Sequence, residues 1–114
     1  MGVVAEVSFR IPVRADRGGF LQKTRIRGFV AAYANRGVAL AALSQHESAI
    51  ASFDHANRLE SRIAYIHLHR GISLHALGRY QAAAESYQKA IALDSGNADA
   101  HQNLGISLIQ LRQH

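Results

Sequence analysis

A chain of 114 residues is one domain's worth or less, and its 48% apolar and 18% charged content is that of an ordinary folded globular protein. It has no cysteine, which excludes disulfides, a thiol nucleophile and thiolate metal ligands, and no apolar run long enough to span a bilayer. The net charge of +5 sits at the front: six basic against two acidic side chains leave residues 1–29 at +4, and the rest carries only +1.

The first segment, residues 1–28, gives mixed signals. "VSFRIPVR" alternates Val7, Phe9, Ile11 and Val13 with other residues in a strand pattern, yet Pro12 cannot donate to a ladder and "ADRGGF" breaks the run. The expectation is a basic lead segment that is disordered or loosely docked, with a helical turn near 20–27. Its arginines could meet nucleic acid or anionic lipid, but a solvated terminus is the plainer reading. The front lacks the apolar core of a signal peptide, and Glu6 spoils a myristoylation pattern, so a cytoplasmic location is expected.

From residue 29 onward the apolar spacing predicts helices near 29–43, 46–59, 63–77, 80–93 and 98–112, and therefore an all-α protein. The connections are short: "SQH" at 44–46 and "GRY" at 78–80. Ala49, Phe53 and Ala56 form one stripe, as do Ala83, Tyr87 and Ala90. Gly96 is expected in the left-handed position after the fourth helix, and Asn97 as the cap of the fifth.

These helices repeat. Gly37, Gly71 and Gly105 are each 34 residues apart, and Arg36, Leu40, Ser52 and Leu59 recur as Arg70, Leu74, Ser86 and Leu93. A mid-helix glycine costs about 1 kcal/mol against alanine, so its recurrence implies close approach of a neighbouring helix. The units are residues 30–63 and 64–97, with a half unit at 98–114.

The segments "NRGVALAAL", "HRGISLHALGRYQAAAESYQKAIALD" and "NLGISLIQL", with their period, resemble the tetratricopeptide repeat family over residues 30–114. Gly71, Leu74, Gly78, Tyr80, Ala83, Tyr87, Ala90 and Leu93 stand at the family's signature positions. Departures are His67 and His101 where an aromatic is expected, and Ser61 and Ser95 where a proline closes the unit. The resemblance implies an α-solenoid, a right-handed stack of antiparallel helix pairs in which the first helix of each pair lines a concave groove. The fifth helix, with Leu104, Ile106, Leu108, Ile109 and Leu111, is apolar for a terminal cap. A fragment of a longer array is therefore expected, with self-association through this helix as the alternative.

On that geometry the groove-facing candidates are Asn35 and Val38 in the first unit, and Tyr65, Leu68, His69, Ile72 and His75 in the second. Asn103 and Ile106 complete the set in the third. It contains no Lys or Arg, which argues against clamping a partner's terminal carboxylate. Asn35, His69 and Asn103 fall in register, and amides can bond a peptide backbone as both donor and acceptor. Such an asparagine row resembles the repeat arm of O-linked N-acetylglucosamine transferases, so a repeat arm of a larger enzyme is the second reading. The first is a non-catalytic module for a protein or peptide partner.

No catalytic residue, cofactor or metal is expected. There is no phosphate-cradling loop, GxSxG or HExxH. "HLHRGISLH" clusters three histidines, but His67 and His69 diverge by about 200° around a helix, whereas paired ligands need i, i+4 spacing. Nucleic-acid binding by the array is disfavoured too, since the groove lacks cations and stacking aromatics beyond Tyr65.

Overall fold

The computed structural model describes residues 19–113, which form five helices: α1 (Phe20–Ala42), α2 (His46–Leu59), α3 (Ala64–Ala76), α4 (Tyr80–Leu93) and α5 (Ala98–Arg112). Each packs on its chain neighbours, and three- or four-residue connections make those neighbours antiparallel. α1 also touches α3, and α3 touches α5, so these three share one layer, with α2 and α4 behind them. No described helix is long and apolar enough to cross a membrane. The strand pattern at 7–13 lies outside the described residues.

The first helix is longer than its spacing predicts. Residues 20–28, expected within the lead segment, are helical and continue α1 by more than two turns. Leu21, Gln22, Lys23, Arg25 and Arg27 are all good helix formers, and Thr24 Oγ1 donates to the Phe20 carbonyl at 2.9 Å. Gly19, left-handed at φ 77°, starts the helix.

Both predicted stripes are core. Ala49, Phe53 and Ala56 of α2, and Ala83, Tyr87 and Ala90 of α4, are all buried. Their rings explain the glycines: a Cβ at Gly37 would lie 2.6 Å from the Phe53 ring, and one at Gly71 would lie 2.5 Å from Tyr87. Burial pushes the Tyr87 phenol up to about 12, so it stays neutral there.

The core divides into two clusters that exchange side chains. Ile66 of α3 joins Val30, Ala34, Ala49, Phe53 and Ala56 of the first pair. Ile50 of α2 joins Leu68, Leu74, Ala83, Tyr87 and Ala100 of the second.

Polar links follow the repeat as well. Arg36 Nη1 donates to Ser52 Oγ at 3.4 Å, and Arg70 Nη1 to Ser86 Oγ at 2.8 Å, while Arg70 Nε donates to Asp54 at 2.6 Å. Asn97 caps α5 as expected, its Oδ1 accepting from the Ala100 N–H at 3.0 Å. Gly96, by contrast, is not left-handed. Among described residues only Gly19, Ser44 and Gly78 have positive φ, and the last two are equivalent positions in the turns within each pair. The tight reversal lies inside each helix pair, where three residues must turn the chain. The α4–α5 link is longer and turns through an Asn97 N–H to Asp94 carbonyl bond instead.

Candidate functional site

The surface of interest is the face that α1, α3 and α5 present together. On α3, Tyr65, His69, Ile72 and Ala76 recur at i, i+4, i+7 and i+11, and all are at least partly exposed. Val38, Ile72 and Ile106, one per helix, are 38%, 38% and 40% exposed and stand 34 residues apart. Beside them runs the second row, Asn35, His69 and Asn103, exposed or half-buried.

His69 keeps the row chemically uniform. Its ring is flanked by Phe53, nearly parallel at 6.2 Å between centroids, and by Tyr65, edge-on at 6.1 Å. Burial lowers its pKa below the usual 6.5, which favours the neutral ring. A neutral imidazole offers one donor and one acceptor, the functional pair that the amides of Asn35 and Asn103 also carry.

Ile72, His75, Asn103 and Ile106 meet around a small depression of about 100 Å³ floored by Tyr87. This groups four of the nine candidates at the α3–α5 seam. His75 is also committed internally, with Nδ1 3.3 Å from Ser107 Oγ and its ring edge-on to Tyr80 at 4.9 Å.

Leu68 is not part of this surface. It is 7% exposed and belongs to the core of α3, α4 and α5. At about 100° per residue, Leu68 and His75 sit roughly 70–90° from the centre of the exposed stripe, on the edge turned toward α5. A stripe that wide cannot be all groove when another helix packs alongside. Gln102, the equivalent of Leu68 on α5, is exposed because no described helix lies beyond it.

His67 and His101 have structural posts. His67 is buried on the side away from the groove, and its Nε2–H donates to the Ser61 carbonyl at 2.8 Å. His101 does the same to Ser95 at 2.9 Å. The two departures from the family pattern, histidine for aromatic and serine for proline, thus meet in one bond. Among the described residues no three His, Asp or Glu side chains come together in a way that could hold a metal ion.

One lining was missed from sequence. A depression of about 480 Å³ opens where α1 overhangs the α2–α3 connection, with Lys23, Ile26 and Arg27 on one wall and Leu59, Ile63 and Tyr65 on the other. The signal was present, because Lys23, Ile26, Arg27 and Val30 follow i, i+3, i+4, i+7 spacing. The alternation at 7–13 and the two glycines at 18–19 drew the segment away from a helix.

Comparison with known proteins agrees with this geometry. Residues 30–62 match the family described as "Tetratricopeptide repeat", and residues 73–111 match the one described as "TPR repeat". No curated protein sequence matches the chain. Among solved structures, "Second TPR of Spaghetti (RPAP3) bound to HSP90 peptide SRMEEVD" is similar with a TM-score of 0.76 and 17% identity, over 81% of this chain and 85% of that one. At that identity the likeness shows the fold alone. The repeat period, the ring-filled glycine seats and two sequence matches that together span more than half the chain lead to one assignment: the chain belongs to the tetratricopeptide repeat family.

Proposed function

We propose that this chain is a non-catalytic interaction module that holds an extended segment of a partner protein across α1, α3 and α5. The carrying observation is the pair of parallel rows, Asn35–His69–Asn103 and Val38–Ile72–Ile106, on the layer those helices share. The first row can bond the N–H and C=O groups of an extended backbone, and the second can contact its apolar side chains. The similar solved domain holds an acidic peptide, SRMEEVD. Neither row here carries a cation, so the segment we infer is uncharged and contains apolar residues.

The test is to select peptides on the wild-type chain from a displayed random library and measure their affinities by fluorescence anisotropy. Asn35→Ala with Asn103→Ala is expected to weaken the selected peptides by about tenfold or more. Equal affinities for variant and wild type would remove the groove from the reading. SRMEEVD, measured alongside, is expected to bind more weakly than the selected peptides. Equal or tighter binding would overturn the inferred lack of charge.

A further inference from the structure

On the α2 and α4 side of the molecule, away from the groove, a depression of about 410 Å³ opens where α2 leads into α3. Asp54, Asn57 and Arg58 of α2 line it together with Ser61, Arg70 of α3 and Lys89 of α4. Its charges do not cancel. Asp54 is met by Arg70 at 2.6 Å, whereas Arg58 and Lys89 pair with no described carboxylate.

The uncharged polar groups lean the same way. Asn57 makes no hydrogen bond to a described residue, and its Oδ1 is buried. Ser61 gives its carbonyl to His67, while its hydroxyl bonds to no described residue. Unused donors around two unmatched cations suit an anion rich in acceptor oxygens.

The following unit has none of this. Thirty-four residues on, Asn57 becomes Ile91, which packs against the core, Arg58 becomes Ala92 and Arg70 becomes Leu104. The repeat therefore accepts an apolar residue at position 57 and does not call for an amide there. An unpaired buried amide oxygen lowers stability, so the packing gives no reason for Asn57.

We propose that this depression binds a phosphate monoester. Such an ester carries a charge of about −1.5 to −2 near pH 7 and so answers both cations, where a carboxylate answers one. Arg58 can hold it through two parallel bonds and Lys89 as a point charge, with Asn57 and Ser61 donating. The volume is that of a small-molecule site, so it takes the body of the ester along with the phosphate. Residues 1–18 do not suit it, since Arg10, Arg14 and Arg17 outnumber Glu6 and Asp16.

The probes are glycerol 3-phosphate and a capped pentapeptide with a central phosphoserine, titrated into the full chain by calorimetry beside glycerol and the unphosphorylated peptide. At least one phosphate probe is expected to saturate a single site, and its phosphate-free counterpart not to bind. The tighter of the two identifies the source of the ester, a free metabolite or a modified side chain. Arg58→Ala with Lys89→Ala, both exposed, is expected to weaken binding at least about tenfold at an unchanged thermal midpoint. Asn57→Ile is expected to weaken binding and raise the thermal midpoint, because the unpaired oxygen goes with the site. No saturable binding of either phosphate probe, or equal binding by the double variant, would overturn the proposal.

Discussion

Ser44 holds a φ of 62° in the turn between α1 and α2, where the equivalent position in the next pair is Gly78 at 77°. A side chain in the left-handed region costs about 1–2 kcal/mol, and glycine avoids that cost while losing some chain entropy. Ser44→Gly is therefore expected to stabilise the fold by about 0.5–1 kcal/mol, read as a higher urea midpoint at unchanged slope. His69 has the opposite kind of tension. Its pKa is lowered in the fold by burial, so as pH falls below the ordinary 6.5 the unfolded chain takes up the proton first. Stability is thus expected to drop as pH passes down from 6.5 through the folded value. His69→Asn, which copies positions 35 and 103, is expected to lose less between pH 7.5 and 5.5, checked by thermal midpoints. Its position two residues before Gly71 was enough to expect His69 on the layer shared by α1, α3 and α5. It did not show that Phe53 and Tyr65 flank the ring, because Phe53 reaches it from another helix.

Within each helix pair the glycine and the ring act as one joint, and the three units provide an internal control. Gly71→Ala gains about 1 kcal/mol of helix propensity but drives a Cβ to 2.5 Å from Tyr87, an overpacking that typically costs about 1–3 kcal/mol. A net loss is expected. Gly105→Ala meets nothing and is expected to gain up to about 1 kcal/mol. Chemical denaturation of the two variants side by side gives the comparison. The 34-residue period revealed this joint in advance, since a costly residue recurring in helices calls for a close neighbour. The period did not cover α1's first turns, which have no counterpart in α3 or α5. There the helix had to be read from propensity and the spacing of Lys23, Ile26, Arg27 and Val30, without the repeat, against Gly28 and a misleading alternation upstream. The same limit explains Leu68: spacing locates a face to within a broad arc, and only the neighbouring helix decides which edge of the arc is covered.

Taken whole, the molecule measures 61 × 30 × 17 Å, and its short dimension is about that of two packed helix layers. Among the described residues the core clusters lie at joints between neighbouring helices, as a body this thin requires. The family's architecture was legible because those joints are local and periodic. The partner was not, because exposed rows need satisfy nothing inside the fold. The exchange of Ile50 and Ile66 across the α2–α3 boundary sets how the chain comes apart. In a linear array each unit's fate depends on its own stability and on its coupling to the next. Those two isoleucines carry much of the coupling, so the wild-type chain should melt as one cooperative unit. Ile50→Ala with Ile66→Ala is expected to weaken the coupling, leaving polar links such as Arg70 to Asp54, and to remove ~4–10 kcal/mol of packing. Its melting should therefore broaden, with the van't Hoff enthalpy falling below the calorimetric one, and hydrogen exchange should split into two populations divided near residue 60. Two swapped side chains would then be what turns a row of helix pairs into a single thermodynamic object.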